Sequence, residues 1–497
     1  MLPSPQLDPD TQRFVNHLNA YLNDETDDTE PARTYYDFVS LHKYLLQAGD
    51  PLSNPILSTV MPLLSRIMNS ERYDDDYVEF LRDLLMLVPM KTTWVYFPKD
   101  EMLKAIDYPS PVKLFTATVD LVAWRVSCND EDAVEFVDTT ALLPKAVLRC
   151  LSDHSIPDRF WTVESLVKSC DGKLLDEITT DLMHCVDLVA LQSDSALTTR
   201  YMALAERVIS RRLDLKQINY AKLIAVVDSL SFFDDTEETS PDALMYSVII
   251  DFYTNLVGLM DGSEALFLSL QPVIVRCLNV LAVSVVEKAA FVSPRLTELF
   301  GKLTYCKDDG IVAWAKQQEP VVAILDNIDL KAPFHNEIFL KTNPAFISKK
   351  RQLFDTYFAA IDLASMDYIL FACVLHAFED PDFFNLFASE GKLSNSTFSR
   401  LPKDLLYKLL EIISRHNHSA KHLLSEMPTV VSSYLIELSG NISDRSIRNE
   451  ARSTIENLLN NKDLDLGVWK DGLRNLLRTL IHGPLRGPQV DVSDEAL

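Results

Sequence analysis

Three histidines, His416, His418 and His422, form the only histidine cluster in this 497-residue sequence. A helix would place His418 and His422, which are four residues apart, on one face, an arrangement that metal ligands can take. The Glu of an H-E-x-x-H motif is missing, however, and no Asp or Cys stands at ligand spacing. The group is more typical of a solvated helix end, and we predict no metal site.

Loops that carry enzyme chemistry also leave sequence signatures, and the common ones are missing. No G-x-G occurs, which excludes the dinucleotide fingerprint and the kinase glycine loop, and no G-x-S-x-G nucleophile elbow occurs. Gly467 and Gly472 have P-loop spacing, but Leu473 and Arg474 follow in place of Lys and Ser/Thr. The sequence therefore predicts a protein that is not an enzyme, with no catalytic residue, no cofactor and no cofactor-binding residue.

Glycine is scarce, with 12 among 497 residues, whereas average usage is about 7 per cent. Because glycine supplies the positive φ angles of tight turns and phosphate loops, a chain so poor in it favours helix after helix, with Pro and Asp at the breaks. Five glycines fall between helical segments, where we expect helix C-caps: Gly49, Gly172, Gly310, Gly391 and Gly440.

Apolar residues recur at helical spacing along almost the whole chain, for example over residues 77–88 and 405–413. Alternating runs bounded by tight-turn dipeptides are absent, so we predict an all-α protein. Short helices paired at a period of about 40 residues indicate a HEAT- or armadillo-like α-solenoid of about 11–12 helix pairs. The segment from Asp444 through Arg445 and Ala451 to Leu458 resembles the second helix of a HEAT repeat. An irregular helical bundle stays open as the alternative.

Charge is unevenly distributed along this predicted array. We assign residues 1–482 to a single solenoid with an acidic N-terminal half, and residues 483–497 to a frayed acidic tail. The formal net charge is −25, residues 1–138 are strongly acidic, and residues 397–490 are mildly basic. Because nucleic-acid binding relies on Lys and Arg to neutralise phosphates, this charge argues against a nucleic-acid partner and favours a basic protein partner.

Cysteine usage and the N-terminus bear on location. The seven cysteines form no C-x-x-C and are widely spaced, as expected of buried, reduced thiols in an intracellular protein. The first residues show no secretory signal pattern. The most apolar stretch, residues 266–286, contains Gln271, Pro272, Arg276 and Asn279, which a bilayer would penalise. We predict a buried helix there, no membrane contact, and a cytoplasmic or nuclear location.

Aromatic and acidic side chains between predicted helices are the candidate binding residues. Trp and Tyr near carboxylates can anchor a basic, apolar partner, so we select five partner-binding candidates: Trp94, Tyr96, Trp124, Asp130 and Asp132. Packing of Trp94 between repeats fits the sequence equally well, and Trp124 has the same ambiguity. The other tryptophans look like core residues: Trp161, Trp314 and Trp469.

Three segments of the chain resemble one known family. It is the fungal family of chaperones that assemble the base of the proteasome regulatory particle, whose animal counterpart is called S-five-b and whose yeast member was first named for a mismatch-repair phenotype. The segments are residues 76–106, residues 448–483 and, most closely, Lys421 with Leu423-Leu424-Ser425-Glu426-Met427-Pro428-Thr429-Val430. Between about residues 130 and 400 the sequence diverges from the family.

The resemblance implies a C-shaped stack of HEAT repeats without enzymatic activity. It implies that the concave face holds the C-terminal domain of one AAA ATPase subunit of the base, alongside a second base ATPase and a large non-ATPase subunit. It further implies that the chaperone leaves before the finished particle works and hinders early docking of the ATPase ring on the core particle. The protein alone is expected to be a monomer. The family's contact residues do not map onto this sequence one by one.

Two other functions stay open. A generic HEAT or armadillo scaffold or transport adaptor for a basic partner would also fit the array, and an armadillo ladder would show Trp and Asn at repeat spacing, which the five tryptophans do not. A DNA mismatch-repair factor, suggested only by the family's older name, predicts DNA retention that falls steeply with salt. The net charge of −25 argues against it.

Overall fold

The computed structural model describes residues 9–26, 55–70, 74–107, 109–153, 156, 161–185, 195–225, 243–287, 293–437 and 444–482. Within these ranges the chain forms 27 α-helices, short 3-10 and π segments and no β-strand, which confirms the all-α prediction. The α-helices, numbered in chain order, are α1 Pro9–Leu22, α2 Pro55–Met68, α3 Asp75–Leu85, α4 Met90–Tyr96, α5 Lys99–Ile106, α6 Val112–Ser127, α7 Glu131–Thr139, α8 Leu142–Ser152, α9 Trp161–Ser169, α10 Gly172–Cys185, α11 Ser195–Arg211, α12 Gln217–Ile224, α13 Ala243–Val257, α14 Glu264–Glu287, α15 Ser293–Thr304, α16 Asp309–Gln317, α17 Glu319–Asp326, α18 Pro333–Lys341, α19 Lys350–Leu353, α20 Tyr368–Ala377, α21 Pro381–Ser389, α22 Asn395–Arg400, α23 Lys403–Arg415, α24 Asn417–Glu426, α25 Pro428–Val430, α26 Arg445–Asn460 and α27 Lys470–His482.

Contacts divide the chain into two compact units, Met1–Gln271 and Pro272–Leu497. The division falls inside α14, immediately before Pro272, a proline that lies within this continuous helix. The predicted single array over residues 1–482 stays a prediction, and the predicted tail at residues 483–497 lies outside the described residues.

The N-terminal unit is a two-row array of helices. In the first row each helix contacts the next one in the row: α1, α2, α3, α6, α9, α11 and α13. A second row is built in the same way: α5, α8, α10 and α12. Large side chains fill the space between helices, with Tyr77, Phe115, Phe136 and Tyr201 fully buried. Stacked repeats of this kind bury a continuous core that no single helix pair could form, which is the construction of an α-solenoid.

Hydrogen bonds between repeats reveal the period directly. Asp120 on α6 accepts from Arg82 Nη1 on α3 at 3.3 Å and from Thr162 Oγ1 on α9 at 2.7 Å. These partners lie 38 and 42 residues from Asp120 in the sequence. One carboxylate thus ties three consecutive helices of the first row, and its spacing confirms the predicted period of about 40 residues.

The C-terminal unit uses the same packing. Helices α15, α18 and α20 contact in sequence, as do α23, α26 and α27, while α19, α21 and α24 form a parallel series. Asp444 caps α26 by accepting from Ser446 N at 2.8 Å and Ile447 N at 3.4 Å. Ala451 and Leu458 are fully buried on this helix. The segment that resembles a HEAT-repeat helix is therefore a capped helix whose small residue faces the core, as predicted.

Side chains of one repeat close the helix ends of the repeat before it. The last carbonyls of a helix have no partner within that helix. Arg149 Nη1 on α8 donates to Ala105 O at 3.0 Å and Ile106 O at 3.3 Å at the end of α5. Arg200 on α11 donates in the same way to Cys150 O at 3.0 Å, at the end of α8. Both arginine side chains are buried, so each repeat supplies donors that its neighbour lacks.

The predicted glycine C-caps are confirmed at one position and wrong at two. Gly391, with φ of +70°, follows α21 and is the left-handed residue that a C-cap requires. Gly172 and Gly310 instead lie in the first turns of α10 and α16. There Asp171 accepts from Leu174 N at 2.9 Å, and Asp308 accepts from Gly310 N at 2.8 Å. Aspartate caps start these helices, so the break lies before each glycine. Gly49 and Gly440 lie outside the described residues.

The cysteines largely follow the prediction of buried thiols. Cys150, Cys170, Cys277 and Cys373 are buried and unpaired. Burial raises the pKa of Cys150 to about 12 and that of Cys170 to about 11, so these thiols stay protonated. Cys128 is exposed, contrary to the prediction, because it lies at the C-terminal end of α6 in the turn that leads to α7.

Helix α14, with 24 residues, is the longest helix among the described residues. By length and composition alone, the 22 residues Glu264–Val285 could cross a membrane. In the structure, Leu266, Leu270, Ile274, Leu278 and Leu281 recur at helical spacing and are fully buried, while the residues between them include half-buried and exposed side chains. A single buried stripe is typical of a helix that packs on one face. Only 33% of the most apolar window of α14 is buried, so the predicted buried helix is confirmed on one face only.

Candidate partner-binding surface

The five partner-binding candidates lie on neighbouring segments of the N-terminal unit. Trp94 and Tyr96 belong to α4, Trp124 lies in the last turn of α6, and Asp130 and Asp132 stand at the start of α7. Helix α7 contacts both α4 and α6. The fold therefore brings residues about one repeat apart in the sequence onto adjoining segments.

Asp130 holds the start of two helices. Its Oδ1 accepts from Ala133 N at 3.3 Å, which makes it the N-cap of its own helix α7. Its Oδ2 accepts from Met90 N at 2.8 Å, the first amide of α4. Pro89, which precedes α4, offers no capping side chain, so Asp130 supplies that cap from the next repeat. Both carboxylate oxygens are thus used inside the protein.

Trp124 combines an internal bond with an exposed ring. Its indole Nε1 donates to Met86 O at 3.2 Å, and Arg125 donates to the same carbonyl. Burial lowers the pKa of the Arg125 guanidinium, and nearby Asp130 opposes that shift. The Trp124 ring is nevertheless 46% exposed. The bond fixes the orientation of a large apolar surface that faces solvent, which is the form of a binding anchor.

Trp94 packs between repeats, the alternative that the sequence left open. Its ring meets Phe136 of α7 edge to face, with centroids 5.8 Å apart. Lys99 Nζ lies 3.6 Å from the Trp94 ring centroid, over its face. The indole Nε1 is buried without a hydrogen-bond partner among the described residues. The lysine covers one face of the ring by a cation–π contact, so only part of Trp94 is accessible.

Tyr96 and Asp132 are half-buried. Burial raises the pKa of the Tyr96 phenol, so the hydroxyl stays neutral and can donate. Asp132 lies in the first turn of α7, where a carboxylate is favoured by the helix dipole. Neither side chain has the double capping role of Asp130, so both remain candidates for contact with a partner.

Two exposed valines belong to this region and were not selected from the sequence. Val95 on α4 is 64% exposed and Val134 on α7 is 38% exposed. Exposed carboxylates of Glu131 and Glu135 stand on α7, and that of Asp100 stands on the neighbouring α5. We name Val95, Tyr96, Trp124, Asp132 and Val134 the N-terminal surface. It combines apolar contact area with negative charge, which suits an apolar, basic partner.

The histidine group proves to be packed, so the predicted solvated helix end is wrong. His418 Nε2 lies 3.0 Å from Phe378 O at the end of α20, and the ring of His422 meets Phe384 edge to face at 5.4 Å. Burial lowers the pKa of His416 and of His422. His418 thus donates a hydrogen bond to the preceding repeat, and His422 packs against an aromatic ring of that repeat. In the part of the chain that the structure describes, no group of three His, Cys, Asp or Glu could hold a metal ion.

The prediction that Trp314 and Trp469 are core residues is also wrong. Both side chains are half-buried. Trp314 lies on the nine-residue helix α16, and Trp469 lies in the 3-10 segment before α27. Apolar spacing alone does not distinguish a fully buried position on a helix from a half-buried one. The Trp161 side chain lies outside the described residues.

Comparison with known proteins finds similarity to one family. A family model described as "DNA mismatch repair protein HSM3, C terminal domain" matches residues 267–497. Three proteins named DNA mismatch repair protein HSM3 are similar along most of their length. The one from Candida albicans is 21% identical over 88% of this chain and 89% of its own. That from Debaryomyces hansenii is 20% identical over 90% and 88%, and that from Scheffersomyces stipitis is 24% identical over 100% of both. The C-terminal part of the chain therefore matches the HSM3 family model, and the chain is similar to HSM3 proteins along most of its length.

Proposed function

We propose that this protein is a non-catalytic chaperone for assembly of the base of the proteasome regulatory particle. It binds the C-terminal domain of one AAA ATPase subunit, alongside a second base ATPase and a large non-ATPase base subunit. While bound, it prevents the ATPase ring from docking too early on the core particle. The protein acts in the cytoplasm or the nucleus, and is a monomer when no partner is bound.

The observation that carries this proposal is the N-terminal surface on a repeat array. Helical repeat arrays bind other proteins through long surfaces to which many repeats contribute. Here α4, α6 and α7 present Val95, Trp124 and Val134, with exposed fractions of 64%, 46% and 38%. Exposed carboxylates of Glu131 and Glu135 stand on α7. Such a surface attracts a basic domain by charge and holds it by apolar contact.

The proposal is tested by purifying the tagged protein from its own cells under mild conditions. Free base ATPase subunits are expected to copurify, and mature 26S particles are expected to be missing. We expect Val95→Lys to reduce ATPase recovery, because it places a positive charge where the basic partner binds. Val468→Lys is the matched control, since Val468 is 87% exposed and lies in the C-terminal unit. Recovery with intact particles only would refute the proposal.

The names of the three relatives favour a second candidate, a role in DNA mismatch repair. A direct role requires DNA contact, and binding through Lys and Arg weakens steeply with salt. A mismatched duplex can be titrated with the protein at low and at physiological salt. With a net charge of −25, we expect no retention at physiological salt. Salt-sensitive binding under that condition would favour the repair function instead.

A further inference from the structure

A cleft in the C-terminal unit has an apolar wall that solvent reaches. Its volume is about 280 Å³, and it lies between α17 and the segment 345–350. Val322 and Leu325 line one side, and Phe346 and Ile347 line the other. Val321, Phe346 and Ile347 are buried, whereas Val322 is 46% exposed. The apolar wall therefore continues from the core to the surface, between polar lining residues such as Lys316, Asp326 and Ser348.

The charged groups at the rim pair with one another, with one exception. Lys349 Nζ lies 2.7 Å from Asp326 Oδ1. Lys350 Nζ lies 2.8 Å from Asp380 Oδ2 and 3.2 Å from Asp382 Oδ2. Lys316 Nζ lies 5.1 Å from the Phe346 ring centroid, and no carboxylate within ion-pair distance of it is found among the described residues. An exposed cation therefore stands beside an exposed apolar wall.

We propose that this cleft binds an extended segment of a partner protein in which an aliphatic side chain lies next to an acidic one. The aliphatic side chain packs against Val322 and Leu325, and the carboxylate pairs with Lys316. The volume is below the usual range for small-molecule sites, which begins at about 300 Å³, but one or two side chains fit. Since the aspartates already have lysine partners, the free charge selects an acidic residue.

This site is independent of the proposed chaperone function. The cleft belongs to the C-terminal unit, whereas the N-terminal surface belongs to the other unit. The two surfaces also favour opposite charges, since Lys316 selects an acidic segment and the carboxylates near α4 and α7 select a basic partner. Either proposal can therefore fail without the other.

A peptide selection on the full-length protein tests the inference. Random twelve-residue peptides displayed on phage are selected, and enriched peptides are synthesised with a fluorophore for anisotropy measurements. We expect enriched peptides to contain an aliphatic residue beside Asp or Glu. Lys316→Glu and Val322→Glu should each weaken binding by about tenfold or more, the loss expected for a central contact. Lys421→Glu, an equal charge change at an exposed position of α24, should leave affinity within about twofold.

A charge swap gives the sharpest comparison. A peptide whose acidic residue is replaced by Lys should bind Lys316→Glu more tightly than it binds the wild type. Circular dichroism confirms folding of each variant, and Lys316→Ala replaces the charge reversal if that variant unfolds. Failure to enrich any peptide overturns the proposal, as does equal binding to wild type, Lys316→Glu and Val322→Glu. Self-association in sedimentation that Val322→Glu abolishes also overturns it, because a second copy would then occupy the cleft.

Discussion

The carboxylate of Asp130 serves two helices that belong to different repeats. One oxygen caps α7 through Ala133 N, and the other caps α4 through Met90 N. From the sequence, Asp130 looks like an exposed acid near Trp124 and therefore like a binding residue. The structure shows instead that removing it would leave two helix N-termini without a side-chain acceptor. The Asp130 carboxylate therefore stabilises two helix starts and is not primarily a partner-binding group.

Asp130→Ala is expected to lower the free energy of unfolding by about 2 kcal/mol, because each lost cap costs about 1 kcal/mol. Asp130→Asn should cost less, since Asn also accepts from helix amides. Asp132→Ala is the control, and loss of its favourable position near the helix dipole should cost about 0.5 kcal/mol. Urea unfolding measures all three. Equal losses for Asp130→Ala and Asp132→Ala would contradict the double cap.

The partly buried carboxyl group of Glu450 should make the stability of the protein depend on pH. Its Oε2 is buried without a hydrogen-bond partner among the described residues. Burial raises the pKa of Glu450, Asp404 and Glu411 raise it further, and Lys408 opposes them. A raised pKa means that the folded state binds the proton more tightly than the unfolded state does. Protonated Glu450 therefore stabilises the fold at a pH below the pKa that Glu450 has in the unfolded chain. The stabilisation is lost as the pH rises through the pKa that Glu450 has in the folded protein.

Glu450→Gln should therefore be more stable than the wild type at neutral pH, because the neutral amide removes the cost of a desolvated charge. The difference in urea midpoint should shrink as the pH falls toward 4 and Glu450 is protonated, since the ordinary glutamate pKa is about 4.3. Glu456→Gln is the control on the same helix, where Glu456 forms an exposed pair with Arg452. A difference in urea midpoint between Glu450→Gln and the wild type that stays constant with pH would contradict a raised pKa at Glu450.

At the scale of elements, helix ends are closed by the neighbouring repeat. Arg149 donates to Ala105 O, Ile106 O and Asp107 O, and also to Ser110. Its guanidinium lies 4.7 Å from the Phe115 ring centroid. Because Arg has donors in a planar fork, it can reach several carbonyls that a single ammonium cannot. Each helix end thus depends on a residue about one repeat away.

Arg149→Ala should cost about 3 kcal/mol or more of unfolding free energy, because buried carbonyls lose their donors and Asp153 loses its partner. Arg149→Lys should recover only part of the loss. Lys145→Ala removes an exposed pair with Asp107 across the same interface and should cost less than about 1 kcal/mol. Hydrogen exchange should show the largest loss of protection near residues 105–110. Uniform loss across the protein would refute the local closure.

Much of this element-scale structure could be predicted from sequence, and part of it could not. The helix over residues 77–88, the Asp444 cap and the buried face of α26 follow from spacing and side-chain chemistry within a few residues. The C-cap prediction at Gly172 and Gly310 was wrong because the preceding aspartates cap the following helices. The histidines were misjudged because their partner, Phe378 O, lies 40 residues away from His418.

At the scale of the whole molecule, a local defect in a repeat array should destabilise mainly the repeats next to it. In a solenoid each repeat contacts only its neighbours, and the chain divides into two compact units. Stability should therefore differ along the chain, and a core defect should affect its own unit most. This expectation concerns each unit separately and needs no assumption about how the units are arranged.

Leu410→Ala, at a fully buried position of α23, should cost about 2–5 kcal/mol within its unit. Hydrogen exchange should rise in α23, α24 and α26, while protection in α6, α9 and α11 stays unchanged. Leu204→Ala, at an equally buried position of α11, is the matched control and should give the reverse pattern. If either variant raised hydrogen exchange equally in both units, unfolding would be fully cooperative. The expectation that a core defect affects mainly its own unit would then be wrong.

The sequence by itself determined the helical class, the period of about 40 residues and individual aspartate caps such as Asp444, because these depend on residues close together in the chain. Tertiary structure decided which side chains reach the surface. Lys99 covers one face of Trp94, Met90 engages Asp130, and Val95 is left exposed. The exposure of a side chain depends on how each helix is rotated and on what the next repeat places against it. That information arises only when repeats pack together.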